Sequence, residues 1–366
     1  MNLLGKFFLL VVFYLLGIFL VISLFNFYPF KDLAFLNINN LLVLFFRWDS
    51  FHYQQIALNG YDSVNSVFFP LYPFLVKVVS YFVGPLWSGF LISWTSLVLS
   101  LFVFYKILAL RYSEEKMRQR AIALLIFSPF ALFLAAFYTE SLFLFLSLSF
   151  FYFLNKKKWL TASCFAFFAC LTRNIGILLL AVYLFQYWQT FRTTGIRFKV
   201  KKQLFYTLII LLAPIFYSVF CYFKFGNQIS FITEQSNWTS HVFSLPWNAF
   251  KKYSTFLIND YEGKIYTIYQ IFFKEIGAFL ILLITSIYFL RRREWPYAIY
   301  GFLSALLFFC IVPMTSVNRY ALVFFPIYIF LTDFFKKDLN WFILFFLSFI
   351  YFIFNLFIFS RGAWVG

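Results

Sequence analysis

Long apolar runs broken by short polar clusters dominate the chain. A helix needs roughly 20 apolar residues to cross a bilayer. Eleven runs approach that length, at 7–28, 88–110, 121–138, 141–155, 159–173, 175–191, 204–223, 271–290, 295–312, 319–334 and 340–359. Two longer stretches, 29–87 and 224–270, are left over as loops. The expected fold class is an all-α polytopic membrane protein with about eleven transmembrane helices, built as a single membrane-embedded domain over residues 1–366. No internal repeat or soluble domain interrupts the pattern.

Residues 67–84 are apolar enough to resemble a further span. Pro70 and Pro73 near the start, Lys77 in the middle and Gly84-Pro85 at the end argue instead for a helix lying at the interface, with the Lys77 ammonium snorkelling to the headgroups. The first run extends from about Lys6 to Tyr28 without a small-residue cleavage site. That is longer than the apolar region of a secretory leader, so it is expected to be the first membrane helix.

Composition agrees. Hydrophobic residues make up 63% and charged residues 12% of the 366 positions, against about 25% charged in soluble domains. The 62 Phe residues fit hydrocarbon and carry no functional signal. Cys164, Cys170, Cys221 and Cys310 all lie within apolar runs, with no metal-ligand spacing and no disulfide framework.

The net charge of +17 would suggest nucleic acid in a soluble protein. Here 17 of the 30 basic residues fall in five short loops, around 111–120, 156–158, 192–202, 291–293 and 336–337. Clusters of this kind mark cytoplasmic loops. All five come out on one side if the N-terminus is cytoplasmic, which places the tail 361–366 outside and excludes a nucleic-acid partner.

With that topology Asp49, Asp62, Glu140, Arg173 and Arg319 gather on the outer face. Charges near hydrocarbon are costly and mark function by default. Glu140 is the only charge between Ala121 and Asn155, and Arg173 the only one between Trp159 and Phe191. Each must sit at a tight hairpin near the outer headgroups. Two arginines facing such a cavity suit an anion, because the planar guanidinium grips oxygens in pairs. Asp49, beside Trp48, reads equally as a general base and as the N-cap of a helix through Ala57. His52, three residues on, shares its helical face. Asp62, in Asn59-Gly60-Tyr61-Asp62, reads as a turn residue. The loop 224–270 offers Glu234, His241, Asp260 and Glu262 without a chemical pattern, and Trp238 and Trp247 as interfacial anchors. With only His52 and His241 in the chain, no histidine metal cluster is expected; a divalent metal would need carboxylates. No cofactor is expected.

Four segments, in order, resemble the PIG-V family, which contains the mannosyltransferase adding the second mannose of the GPI anchor and its prokaryotic relatives. They are Arg47-Trp48-Asp49-Ser50-Phe51-His52-Tyr53 with Phe68-Phe69-Pro70-Leu71-Tyr72-Pro73; Ser128-Pro129 through Tyr138-Thr139-Glu140-Ser141-Leu142-Phe143; Leu171-Thr172-Arg173-Asn174-Ile175-Gly176; and Asn318-Arg319-Tyr320 with Phe325-Pro326. The match spans 47–326 and is poor over 224–270.

The resemblance implies a GT-C-like fold and an inverting transfer of a sugar from a polyprenyl-phosphate donor to a lipid or glycan acceptor on the non-cytoplasmic face. By position it makes Asp49 the catalytic base and Arg173 and Arg319 the grip on the carrier phosphate. Trp48, His52, Tyr72, Glu140 and Tyr320 become substrate-binding candidates. The site of action would be the cell membrane of a prokaryote or the endoplasmic reticulum of a eukaryote. The rival readings are a lipid or oligosaccharide transporter, which predicts paired broken helices, and an envelope glycan polymerase or ligase, which needs a large outer loop.

Overall fold

The computed structural model describes residues 2–30, 38–192, 202–235, 242–251, 275–312 and 316–365. Among them the helices are α1 (Leu3–Phe30), α2 (Ile38–Phe45), α3 (Asp49–Asn59), α4 (Leu71–Val83), α5 (Pro85–Arg111), α6 (Glu115–Ile126), α7 (Leu132–Ala135), α8 (Glu140–Asn155), α9 (Trp159–Thr172), α10 (Leu178–Arg192), α11 (Lys202–Phe205), α12 (Thr207–Phe225), α13 (Ser230–Thr233), α14 (Gly277–Arg291), α15 (Trp295–Phe309), α16 (Val317–Val323), α17 (Pro326–Phe334) and α18 (Asp338–Ser360). Strands β1 (Val242–Phe243) and β2 (Ile311–Val312) form one short antiparallel bridge.

Four helical stretches are long and apolar enough to cross a membrane: Leu3–Leu24 of α1, α5, Lys202–Phe225 across α11 and α12, and α18. A fifth is the pair α16 and α17, bent by 77°. Apolar side chains stand exposed along three of them, as with Phe8, Phe13, Leu16, Leu20 and Leu24 on α1, Leu212, Phe216 and Phe223 on α12, and Leu339, Phe342, Phe346, Ile350 and Phe354 on α18. Exposed apolar surface on this scale needs a lipid solvent. The chain is a helical membrane protein.

Several expected runs form shorter or broken helices. The run 121–138 does not continue as one span: α6 stops at Ile126, and the chain turns through Ser128-Pro129 before the single turn of α7. The residue before a proline is driven out of the helical region. The same rule breaks 319–334 at Phe325-Pro326, where α17 starts. The interfacial candidate 67–84 forms α4, whose 13 residues span about 20 Å. Tyr72, Pro73 and Val76 of α4 are buried, whereas Phe74, Lys77, Tyr81 and Phe82 lie nearer the surface.

The chain divides into two compact units. The first comprises 1–60, 70–152 and 331–365; the second comprises 61–69 and 153–330.

The centre of the first unit is the broken segment 127–138, which has lost the regular hydrogen-bond ladder of a helix. Polar side chains from several elements replace it. Ser348 Oγ donates to the Phe127 carbonyl (2.9 Å), Asn355 Nδ2 to Pro129 (2.9 Å) and the Tyr14 hydroxyl to Ala131 (3.0 Å). Ser141 Oγ donates to Leu134 (2.7 Å), Trp94 Nε1 to Ala135 (2.8 Å), Ser50 Oγ to Phe137 (3.1 Å) and Ser93 Oγ to Tyr138 (3.0 Å). Six carbonyls that hydrocarbon would leave unsatisfied are thereby paired, and the Ala131 carbonyl, which also accepts the Leu134 N–H, gains a second donor. The segment also packs tightly: a Cβ on Gly89 of α5 would lie 2.3 Å from the Phe137 ring.

At one end of this unit the loops 111–120 and 336–337 meet. Arg111 pairs with Asp333 at 2.5 Å, and the Tyr112 hydroxyl donates to the same carboxylate at 2.9 Å. Burial, and then the Asp333 charge, push the Tyr112 phenol well above its ordinary range, so it stays a donor. Arg120 binds Asp338 and donates to the Lys336 carbonyl at 2.8 Å.

In the second unit α14 and α15 form a hairpin, α9 packs on α12, and α10 packs on α15. The segment 61–69 is pinned to α12 and α13. The Tyr217 hydroxyl donates to the Ser66 carbonyl at 2.6 Å, and the Ser66 and Ser230 hydroxyls lie 2.9 Å apart. Asp62 accepts from the Asn65 backbone N–H at 2.7 Å and from Asn65 Nδ2 at 2.8 Å. It is a turn residue, as its sequence context suggests.

Trp94→Phe keeps the ring but removes the donor to Ala135. The expected loss is about 1 kcal/mol of stability. It is measured as a lower midpoint of thermal unfolding in detergent, and an unchanged midpoint would remove this contact from the scaffold.

Candidate functional site

The four polar segments picked out in the sequence all lie where a helix starts, stops or bends. Each unit holds its own set.

In the first unit, helix α3 runs from Asp49 to Asn59 with Trp48 at the cap position. Asp49 is therefore the first helical residue rather than the cap. Its carboxylate stands in the first turn, where the helix dipole favours negative charge. The Trp48 backbone is held at φ 52 and ψ −117, a positive-φ conformation that is costly for a bulky side chain. Such strain persists only where the surroundings over-determine it. Here they do. The Tyr138 hydroxyl donates to the Arg47 carbonyl at 3.0 Å, on one side of Trp48. On the other side, Ser50 Oγ is tied to Phe137 at 3.1 Å. The Tyr53 hydroxyl lies 3.5 Å from Thr139 Oγ1.

The 47–53 segment is thus docked along 137–139, the turn that leads into Glu140. Glu140 opens α8 and is fully buried. Asp49 and His52 are half-buried, three residues apart on α3, and Trp48 is 45% exposed. The Trp48 ring meets Trp364 edge-on at 5.5 Å. Tyr72 has no exposed surface. Its hydroxyl lies 3.0 Å from both the Gly89 carbonyl and Ser93 Oγ, and its ring is 5.0 Å from that of Tyr53. It supports α3 from beneath.

In the second unit, Arg173 ends α9 in an extended conformation, and its guanidinium sits 4.4 Å above the Tyr320 ring. A cation over an aromatic face is attracted by the ring quadrupole. Arg173 and Arg319 are 8% and 5% exposed, a burial that arginine tolerates only with partners. The turn 174–177 folds back against α9: a Cβ on Gly176 would lie 2.6 Å from the backbone of Ala169 and Cys170. That close approach is the physical content of the Thr-Arg-x-x-Gly spacing. Beside Arg319, Asn318 Oδ1 accepts the Arg319 backbone N–H at 2.7 Å. Asn318 Nδ2 is buried with no hydrogen-bond partner among the described residues.

One residue escaped the sequence reading. Glu275, 7% exposed, accepts the backbone N–H groups of Ser316 at 2.9 Å and Val317 at 2.7 Å. It stands next to Lys274 at the head of an apolar run, where it resembles an ordinary loop charge. The available signal was its isolation, for no other acid lies between 263 and 293. Trp238, His241, Asp260 and Glu262 fall outside the described residues. Among the described residues no group of three or more His, Cys, Asp or Glu side chains is placed to hold a metal ion.

This defines a class: a helical membrane protein in which Glu140, Arg173 and Arg319 are buried near helix ends. No family model matches the chain, and no curated protein or solved structure matches it.

Gly176→Ala forces the 174–177 turn off α9 and displaces Arg173. Overpacking of this kind costs about 1–3 kcal/mol. The expected outcome is a lower unfolding midpoint; a variant as stable as the wild type would mean the turn relaxes without cost.

Proposed function

We propose that this protein is a membrane glycosyltransferase of the PIG-V type. In this reading it moves a sugar, mannose by resemblance, from a polyprenyl-phosphate donor to a hydroxyl of a lipid or glycan acceptor on the non-cytoplasmic face. The reading includes a GT-C-like arrangement of about eleven spans, with the N-terminus cytoplasmic and the C-terminus outside. Its place is the cell membrane of a prokaryote or the endoplasmic reticulum of a eukaryote.

The observation that carries the reading is the setting of Asp49. A half-buried carboxylate follows a residue held at φ 52, with both flanks tied by hydrogen bonds to 137–139. Costly local geometry around one acid is what a catalytic group requires, since a base must be held in place before the reaction.

The chemistry is a single displacement. Asp49 accepts the proton of the acceptor hydroxyl, and the oxygen attacks the anomeric carbon from the face opposite the donor. The bond from that carbon to the phosphate oxygen breaks, and polyprenyl phosphate leaves with the electron pair. Arg173 and Arg319 balance the charge of the departing phosphate, with Tyr320 orienting Arg173. Trp48 and His52 contact the sugar or acceptor, while the fully buried Glu140 and Tyr72 support them from within the scaffold.

Purified protein in lipid vesicles, given radiolabelled polyprenyl-phosphate mannose and a lipid extract as acceptor, is expected to release polyprenyl phosphate. Asp49→Asn is expected to lower that rate by about 10²–10⁴-fold. Survival of the rate in the variant would take Asp49 out of the chemistry. Folded wild type that turns over no carrier-linked sugar would overturn the reading. Arg173→Lys keeps the charge but loses the bidentate fork; a raised KM for the donor is expected, and an unchanged KM would count against phosphate contact.

A further inference from the structure

The residues around Arg319 are held in a conformation they would not adopt alone. Ser316 has φ 58 and ψ 17, left-handed backbone that costs an L-residue other than glycine roughly 1–2 kcal/mol. In that turn two successive backbone N–H groups, of Ser316 and Val317, point the same way. Both are captured by one carboxylate: Ser316 N–H donates to Glu275 Oε1 at 2.9 Å and Val317 N–H to Glu275 Oε2 at 2.7 Å. Hydrogen bonds from backbone N–H to a carboxylate are among the stronger ones in proteins, and burial strengthens them further.

The polar cluster comes directly after the turn. Asn318 and Arg319 are buried within the seven residues of α16, and Tyr320 lies beneath Arg173. Helix α14, which begins two residues after Glu275, packs on α16. Glu275 is thus fixed to the scaffold at one side and to the strained turn at the other.

We infer that Glu275 is a positioning residue that sets Arg319 and Tyr320 for the phosphate of the donor. This rests on the glycosyltransferase reading for the identity of the ligand. Its own content is that Glu275 acts through the Ser316 turn and does not touch the ligand. A carboxylate serves this role because it offers two acceptors at once. Glutamine offers one acceptor and an N–H₂ that faces an N–H. Glycine at 316 adopts the turn without strain and needs the clamp less.

The test uses the full chain in nanodiscs and two measurements: retention of radiolabelled farnesyl phosphate, and turnover of polyprenyl-phosphate mannose. Glu275→Gln is expected to weaken farnesyl phosphate binding roughly tenfold, the effect of losing one charged hydrogen bond. Adding Ser316→Gly is expected to return the affinity to within about threefold of wild type, since glycine carries no penalty in the turn. Ser316→Val, which strains the turn while leaving Glu275 intact, is expected to mimic Glu275→Gln. It keeps the proposal testable if that variant does not fold.

Unchanged affinity in both Glu275→Gln and Ser316→Val overturns the inference, as does a loss in Glu275→Gln that glycine at 316 fails to recover. A purely structural Glu275 would lower the unfolding midpoint and leave affinity alone. Wild type that binds farnesyl phosphate but transfers no sugar would sink the transferase reading while the positioning role stands on the binding data. Wild type that neither binds nor transfers overturns both.

Discussion

In hydrocarbon no water is available to receive a hydrogen bond, so every break in a helix must be repaired by the protein itself. That constraint organises this structure. The segment 127–138 gives up its regular ladder, and seven carbonyls within it accept side-chain donors from α1, α3, α5, α8 and α18. None of these donors is charged. A neutral hydroxyl, indole or amide satisfies a carbonyl without bringing a charge into the membrane, and that choice recurs. Ser100, Ser286 and Ser304 each return their hydroxyl to the carbonyl four residues back, so these polar residues within the helices are also satisfied locally.

Breaks repaired in this way also seat the polar segments beside them. The partners that satisfy 137–138 also seat the segment carrying Asp49: Tyr138 holds the Arg47 carbonyl, and Ser50 holds Phe137. The strain at Trp48 is sustained by those same bonds. In the second unit the device is different but the logic is the same. There Gly176 lets the chain fold back on α9 directly after Arg173, and Glu275 supplies the acceptors for the first N–H groups of α16.

Much of this was legible from the chain. Runs of apolar residues predict helices and a membrane, and lone charges in long apolar stretches single out Glu140 and Arg173. Asp62 was readable as a turn residue because Asn-Gly-Tyr-Asp is a local signal. The breaks were harder. Residues 121–138 satisfy a hydropathy window, and only Ser128-Pro129 hints that the helix stops. Three donors that make the break tolerable, Tyr14, Trp94 and Asn355, come from positions 41 to 226 residues away from the carbonyls they serve. Long-range pairing of this kind leaves no periodic trace. Whether Asp49 is the cap or the first helical residue turns on one residue of helix boundary, which periodicity does not resolve. Glu275 was hidden for a related reason, since its role depends on a turn 41 residues downstream.

The division of polar groups also bears on what kind of membrane protein this is. A pathway for moving a solute across the bilayer needs polar groups distributed through its depth. Here several serines within the described helices are occupied with their own backbones or with the broken segment 127–138. Asp49 follows a strained residue in one unit, and two sheltered arginines, Arg173 and Arg319, lie in the other. An acid and a pair of guanidinium groups differ in chemistry: a carboxylate can take a proton, and a guanidinium can hold an oxyanion. Each is seated at a helix end within its own unit, so the backbone geometry of the break fixes which side chain stands there.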